Sequence, residues 1–257
     1  MTEAEQPNAL KIDLADWRTY VLSQDLDFKF VTVSGAHIYG FPSPDSDVDL
    51  RGSHQLSLET IVGLSQPNQT IDRTDFRNGI EVDIVSHDIG KYLGLLVKNN
   101  GYILEQVFSP IVVWGQEFLN ELRPVASRCI TRNHYYHYRG FFNNQKNLIH
   151  KQETVTVKSV LYAYRVLATG IHLLNTGDVI TDLNWLADEL SLPDIPELIQ
   201  AKVAEKVSFS FDLAEHLKRL DQMENRLLQA FEASQLPENP DRDSVNEQLI
   251  RSRLNQT

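Results

Sequence analysis

The chain has 257 residues and a formal net charge of −11, with 42% apolar and 23% charged residues. This composition is typical of a folded globular protein and excludes collagen-like and intrinsically disordered classes. Cys129 is the single cysteine, which excludes an internal disulfide and a cysteine-based zinc site. No apolar run approaches the roughly 20 residues that span a bilayer, and the acidic N-terminus lacks a signal-peptide pattern. We therefore expect a cytoplasmic protein without membrane contact.

The first half of the chain predicts a mixed sheet with flanking helices. Residues 1–9 are expected to form a disordered lead, and apolar residues at helical spacing predict a helix within 10–26. Aromatic and β-branched residues then predict a strand over 28–33. Further predicted elements are a strand over 48–52, a hairpin of 71–76 and 79–85 with Arg77-Asn78-Gly79 at the turn, and a helix that Asp88 or Ser86 caps and that runs to Asn99.

Beyond about residue 118 the strand signals fade and helical periodicity dominates. The predicted helices cover 141–150, 155–176, 182–190, 196–206 and 211–233, with a weaker one near 253. Gly177 is expected to end the helix predicted over 155–176, because glycine readily adopts the left-handed conformation of a helix C-cap. We therefore predict an α+β protein, with a sheet-and-helix domain over 1–116 and a helical domain over 117–257.

The acidic residues after the first strand carry the clearest chemical signal. Asp47 and Asp49 stand two apart at a strand start, so both carboxylates project to the same side. Carboxylates that close repel each other unless a cation neutralises them, and Mg²⁺ prefers such oxygen ligands. Asp83 adds a third carboxylate within an otherwise apolar strand. Two alternatives stay open. Asp45-Ser46-Asp47 forms a polar turn with side-chain-to-backbone hydrogen bonds, and Asp83 merely faces solvent.

One segment has a charge opposite to that of the rest. Residues 123–165 contain eight basic residues and one acid, a net charge of +7, so the remainder of the chain carries −18. Seven aromatic residues are interleaved with these cations. Positive charge beside stacking surfaces suits a polyphosphate or a single-stranded nucleic acid. The alternative is a set of basic helix faces that balance acidic neighbours, with the aromatic rings in the core.

Four motifs together resemble a known family. They are Gly-Ala-His-Ile-Tyr-Gly at 35–40, Asp-Ser-Asp-Val-Asp-Leu-Arg-Gly at 45–52, Asn-Gly-Tyr-Ile-Leu-Glu at 100–105 and Lys-Ser-Val-Leu-Tyr-Ala-Tyr-Arg at 158–165. A glycine turn, an Asp-x-Asp strand and a later acid resemble the nucleotidyltransferase superfamily of DNA polymerase β. More narrowly, residues 30–180 are similar to its RNA repair pathway (RlaP-like) family of predicted nucleotidyltransferases.

The resemblance implies a polymerase-β-like nucleotidyltransferase core followed by a helical domain. It also implies transfer of a nucleoside monophosphate from an NTP to a hydroxyl group, with release of pyrophosphate and an RNA end as acceptor. Asp47, Asp49 and Asp83 would be the catalytic residues and would hold two Mg²⁺ or Mn²⁺ ions. The residues expected to bind the nucleotide are Ser34, Gly35, Ala36 and His37 of the turn, and Lys158, Tyr162 and Arg165 of one predicted helix face.

The chain departs from the superfamily pattern at the turn. The superfamily has Gly-Ser, whereas this chain has Gly35-Ala36, so the hydroxyl that contacts the phosphates is absent. The backbone amide of Ala36 remains available to an anion. Three alternatives stay open. The acceptor is a small-molecule or protein hydroxyl, or the protein is a nucleotide-binding interaction module with little catalysis. The third is that Lys158, Tyr162 and Arg165 form a merely solvated helix face. Arg51 is expected either to pair with a carboxylate or to meet the substrate.

Overall fold

The computed structural model describes residues 13–44, 46–65, 67–204 and 211–254. The predicted lead 1–9 and Asp45 of the acidic motif lie outside these ranges. Of the helices in the described part of the chain, none combines the length and the apolar content that crossing a bilayer requires.

A mixed five-stranded sheet forms the first half of the chain. Its strands are β1 (Phe28–Val33), β2 (Val48–His54), β3 (Thr70–Arg77), β4 (Ile80–Asp88) and β5 (Val112–Trp114). They lie in the order β3-β4-β2-β1-β5, with β2 and β4 parallel and the other neighbours antiparallel. The predicted hairpin is confirmed: Asn78 and Gly79 both have positive φ, as a two-residue turn of this hand requires. The short β5 was not predicted, because three residues carry almost no periodic signal.

Helices flank the sheet and make up most of the remainder of the described chain. They are α1 (Leu14–Leu22), α2 (Ala36–Tyr39), α3 (Leu58–Val62), α4 (Ile89–Leu96), α5 (Gly101–Val107), α6 (Gln116–Ser127), α7 (His134–Lys151), α8 (Val157–Thr176), α9 (Leu183–Glu189), α10 (Ile195–Val203), α11 (Leu213–Ala233) and α12 (Arg242–Leu254). The predicted α+β class is confirmed. Asp88 caps α4 by accepting a hydrogen bond from the backbone of Gly90, and Gly177 ends α8 in the left-handed conformation.

Two of these helices differ from the sequence prediction. The aromatic start of α7 was not expected to be helical, since histidine and tyrosine have modest helix propensity. Burial of Tyr135, Tyr138 and Phe142 in the core outweighs that propensity. Helix α6 was missed, and it contains Pro124.

The core lies on both faces of the sheet. Helix α1 covers one face, where Trp17 and Val21 join Val31 and Val33 in a small apolar cluster. The larger cluster contains Phe30 on the opposite face and extends through α4 to α12, with α8 packed against α7, α9, α10 and α11. Helix α6 contacts β1, and α12 returns to pack on α4. The division of the chain at 116/117 stays a prediction, since one core joins its two sides.

A buried ion pair fastens α8 to α5. Nη1 of Arg165 donates to Oε1 of Glu105 at 2.7 Å, and each side chain is only 1% exposed. The Arg165 guanidinium also lies 4.1 Å from the ring centroid of Tyr39 on α2, whose hydroxyl donates to Oε2 of Glu105 at 3.3 Å. These three side chains therefore fix α2, which follows the glycine turn, against the helical half of the protein.

Removing one partner of this pair should destabilise the protein strongly. The substitution Arg165→Met leaves the Glu105 carboxylate buried without its cation, which typically lowers the free energy of unfolding by about 3–5 kcal/mol. Urea unfolding at pH 7, followed by circular dichroism, measures this difference directly.

Two control variants separate the buried pair from ordinary surface charge. The double variant Arg165→Met/Glu105→Leu should recover most of the loss, because no unpaired charge remains in the core. Arg128→Met removes a cation that is half exposed and paired with Asp241, so it should lower stability by less than about 1 kcal/mol. An Arg165→Met loss as small as that of Arg128→Met contradicts the prediction.

Candidate active site

The turn between β1 and α2 brings the backbone against an acidic side chain. Gly35 has φ +67 and ψ −152, a conformation that a residue with a side chain rarely adopts. A Cβ atom at this position would also collide with Oδ2 of Asp49. The backbone amide of Ser34 donates to the carbonyl oxygen of Asp49 at 2.8 Å, which keeps the turn and β2 together. Glycine is therefore required here both by conformation and by space.

Asp49 and Asp83 stand side by side on the parallel strands β2 and β4, where they are register partners. Arg51, two residues further along β2, lies between their carboxylates. Its Nη2 donates to Oδ1 of Asp49 at 2.6 Å and to Oδ2 of Asp83 at 2.8 Å. Its Nη1 donates to the backbone oxygen of Asp83 at 2.7 Å and to that of Leu50 at 3.1 Å. Of the two roles expected for Arg51, the structure shows the first, in which Arg51 pairs with carboxylates.

Burial and charge act on Asp49 in opposite directions. Burial raises the pKa of its carboxyl above the ordinary value, and the neighbouring charges of Asp83 and Asp47 raise it further. The guanidinium of Arg51 lowers the same pKa. The charge of Lys158 lowers this pKa as well, so two cations oppose the charge of the neighbouring carboxylates.

The fit to a metal ion follows from these donors. Among the described residues, no three histidine, cysteine, aspartate or glutamate side chains come together as a ready metal-binding group. Asp47, Asp49 and Asp83 therefore do not converge on one point, and Arg51 lies between the last two. Asp47 and Asp49 still present hard oxygen donors to the same cleft, which are the ligands that a divalent cation such as Mg²⁺ prefers. The residues present fit a divalent ion at Asp47 and Asp49.

A cleft of about 290 Å³ opens beside these acids, between the sheet and the helical half. Its lining residues are Ala36, Ser43, Ser46, Asp47, Asp49, Lys158, Tyr162 and Lys202. Of the residues predicted to bind nucleotide, Ala36, Lys158 and Tyr162 line this cleft. The ring of Tyr162 is held edge-on to Tyr39 and Phe41, with centroids 5.7 and 5.6 Å away. The structure thus brings two aspartates, Asp47 and Asp49 (the acidic wall), and two lysines, Lys158 and Lys202 (the basic wall), to one cavity.

Lys202 is the cleft residue that sequence reasoning missed. It lies on α10, and its Nζ donates to the hydroxyl oxygens of Ser43 at 2.7 Å and Ser46 at 3.2 Å. More than 150 residues separate the lysine from these serines. No local pattern links positions so far apart, and the predicted basic segment ends at residue 165.

Four predicted nucleotide-binding residues do not line the cleft. Gly35 and Ser34 form the turn behind it, and Ser34 is buried. His37 is also buried, which lowers the pKa of its imidazole, while backbone groups of Ser46 and Asp47 oppose that shift.

The placement expected for Arg165 is wrong. Seven residues advance a helix by about 10 Å, so the face that meets the cleft at Lys158 has entered the core at Arg165. There the guanidinium pairs with Glu105 and cannot also line the cleft.

The basic segment 123–165 is largely used inside the protein. Its pairs are Arg128 with Asp241, Arg139 with Glu224, Lys146 with Asp221 and Arg165 with Glu105, while Arg123 and Arg132 donate to backbone oxygens of Val107, Ser109 and Phe231. Among its aromatic residues, Tyr136 is exposed, whereas Tyr135, Tyr138, Phe142 and Tyr164 are buried. The structure therefore favours the alternative in which these cations balance acidic neighbours.

The mixed sheet and the acids on β2 and β4 agree with the class that the family comparison gives, nucleotidyltransferase-like proteins of the DNA polymerase β type. Comparison with known families is more specific. The profile of RlaP, the RNA repair pathway DNA polymerase beta family, matches residues 15–251. The chain belongs to this family.

Two individual proteins are also similar to the chain. The uncharacterized protein MJ0002 of Methanocaldococcus jannaschii is 30% identical over 155 residues, which is 60% of this chain. The match spans 63% of that relative's length. The crystal structure of a nucleotidyltransferase-like protein from Exiguobacterium sibiricum 255-15 is 12% identical, with a TM-score of 0.29 over 97% of this chain and 80% of that one. A TM-score this low carries no structural argument.

The contact between Gly35 and Asp49 should make Gly35→Ala more damaging than a comparable substitution elsewhere. Strain at positive φ alone lowers the free energy of unfolding by about 1–3 kcal/mol. The new methyl group must in addition displace the Asp49 carboxylate from Arg51. We expect urea unfolding to report a loss for Gly35→Ala that exceeds this strain.

Gly79→Ala is the matched control, because Gly79 also has positive φ but has no atom within 4 Å of an added Cβ. In Gly79→Ala the free energy of unfolding should fall only by the contribution of backbone strain. Equal losses for the two variants contradict a special role for the contact with Asp49.

Proposed function

We propose that this chain is a nucleotidyltransferase that moves a nucleoside monophosphate from an NTP to a hydroxyl group, using Mg²⁺ or Mn²⁺. The observation that carries the proposal is the cleft itself, whose lining includes both Asp47 and Asp49 and the two lysines Lys158 and Lys202. An NTP with its metal ion has a matching charge pattern: the cation meets carboxylates, and the phosphate oxygens meet ammonium groups. Membership of the polymerase β type family supports the same reaction class.

The reaction assigns a part to each wall of the cleft. A divalent ion held by Asp47 and Asp49 would supply Lewis acidity toward the attacking hydroxyl and the leaving pyrophosphate. Lys158 and Lys202 bind the triphosphate and keep its α-phosphorus in line with the acceptor. The hydroxyl oxygen forms a bond to that phosphorus as the bond to pyrophosphate breaks, and its proton passes to solvent. Asp83 is proposed to complete the acidic site, where Arg51 joins it to Asp49.

Tyr162 is proposed to contact the base or sugar of the nucleotide. Its ring lines the cleft and is kept in place by Tyr39 and Phe41, so it offers a flat, preformed surface. Ala36 adds no hydroxyl, so phosphate recognition falls on the two lysines and on the backbone. Positioning and electrostatics suffice for such in-line transfer, because no covalent enzyme intermediate is needed.

The end of an RNA is the acceptor we propose, on the basis of the family's description as an RNA repair pathway family. A second candidate is a small-molecule or protein hydroxyl. It is favoured by the net charge of −11 and by the internal pairing of the basic segment, which leaves less positive surface for a polynucleotide. Salt separates the two candidates, since binding through several phosphates weakens steeply as salt rises.

Pyrophosphate release from each of the four NTPs, with Mg²⁺ or Mn²⁺, tests the reaction. We expect RNA-stimulated release that falls as salt is raised from 50 to 200 mM. Asp47→Asn and Asp49→Asn should each lower the rate by at least about 10²–10³-fold, because they remove charge from the metal-binding wall.

Asp72→Asn is the matched control, since Asp72 is an exposed acid on the neighbouring strand β3 and should leave the rate unchanged. Release that needs no RNA and does not respond to salt moves the acceptor to a small molecule or protein. Nucleotide binding without release under any of these conditions contradicts the transferase and favours a nucleotide-binding module.

The basic wall should govern the affinity for the NTP. Replacing Lys158 or Lys202 by alanine removes a charge-assisted contact to phosphate, worth about 1.5–3 kcal/mol, and should raise KM for the NTP about tenfold or more. Lys151→Ala is the control, because Lys151 is an exposed lysine of the same basic segment outside the cleft. A change in KM shared by all three variants argues against a triphosphate site at this wall.

A further inference from the structure

Arg51 belongs to the acidic motif at 45–52, and its guanidinium contacts the carboxylates of Asp49 and Asp83. Resting on the function proposed above, we infer that its guanidinium takes the place of a second metal ion, so the site holds one divalent ion, at Asp47 and Asp49. Asp83 then acts as a positioning residue that anchors Arg51. The two-ion arrangement expected from the sequence is replaced by one ion and one fixed organic cation.

The first support is the position of the guanidinium between the acids. A single nitrogen, Nη2, contacts Oδ1 of Asp49 and Oδ2 of Asp83 at 2.6 and 2.8 Å. A metal ion shared by these two carboxylates would need the same space. It would also meet the positive charge of the guanidinium, and like charges at that distance repel strongly.

The second support is how firmly the guanidinium is held. Its Nη1 donates to two backbone oxygens, those of Asp83 and Leu50, which are fixed by strand pairing between β2 and β4. Displacing Arg51 therefore breaks four hydrogen bonds, two of them to backbone groups that would be left with one partner fewer. Lysine carries the same charge but lacks the planar fork that makes these contacts together.

The third support is the arrangement of ligands. Among the described residues, no three candidate metal ligands form a group, and the carboxylate of Asp83 is bonded to Arg51. Asp47 and Asp49, by contrast, both line the cleft. Asp47 and Asp49 thus offer carboxylate ligands to one divalent ion, and Arg51 provides the second positive charge of the site.

Counting bound Mn²⁺ tests this inference without reference to turnover. Electron paramagnetic resonance measures free Mn²⁺ during a titration, and broadening of the bound signal reports a second Mn²⁺ only a few ångströms away. The titration is run with and without an α,β-methylene NTP, which binds but does not react. We expect one bound ion per chain for the unaltered protein, with no Mn–Mn coupling.

Arg51→Met removes the charge but keeps a similar length, so it should bind two coupled ions per chain. Arg51→Lys keeps a positive charge near the acids and should return the count to one. Arg73→Met, at an exposed arginine of β3, is the matched control and should also bind one. Circular dichroism confirms that each variant is folded, and Arg51→Gln, which also removes the charge and should bind two coupled ions, serves if Arg51→Met fails to fold.

Two coupled ions on the unaltered protein overturn the inference and leave the proposed function standing. A single ion on folded Arg51→Met also overturns it, because the count is then set by something other than the guanidinium. Absence of bound Mn²⁺ from the unaltered protein overturns this inference together with the metal dependence of the proposed reaction. The pyrophosphate assay, run on the same samples, then tells whether nucleotide transfer itself survives.

Discussion

The buried pair of Arg165 and Glu105 is the interaction on which the arrangement of the cleft depends. It joins α8 to α5, and through the ring and hydroxyl of Tyr39 it also fixes α2. Two lining residues of the cleft, Ala36 and Lys158, lie on α2 and α8. A pair of this kind contributes little net stability but penalises alternatives heavily, because any other packing leaves a charge buried alone. It thereby fixes one position of the helical half against the sheet.

Charge in this protein is divided between folding and the cleft. Most cations of the segment 123–165 are satisfied by acids and backbone oxygens elsewhere in the chain. Lys158 and Lys202 line the cleft together with Asp47 and Asp49, and Lys202 also donates to Ser43 and Ser46. The useful quantity is therefore the local distribution of charge in one cavity, which the net charge of −11 does not reveal. The proposed function assigns this cavity to a metal-bound triphosphate.

The acidic wall is built with little freedom to move. Gly35 leaves room for Asp49, the pairing of β2 with β4 sets Asp49 beside Asp83, and Arg51 bonds to both. Each of these contacts restricts the same carboxylate from a different side. A site held this way is prepared before its ligand arrives, which lowers the reorganisation needed during the reaction.

The sequence by itself determined the α+β class, the predicted strands from 28 to 85, the helix caps at Asp88 and Gly177, and the family, because each is encoded by local periodicity, turn residues or short motifs. It also singled out Asp47, Asp49, Lys158 and Tyr162 as candidate site residues, and the structure brings these four to one cleft. Only the tertiary structure decided the rest: Arg165 entered the core, Lys202 entered the cleft and Arg51 came between two acids. These outcomes depend on contacts between residues that are distant in the chain or on neighbouring strands, and local pattern does not record which partner will neutralise a charge.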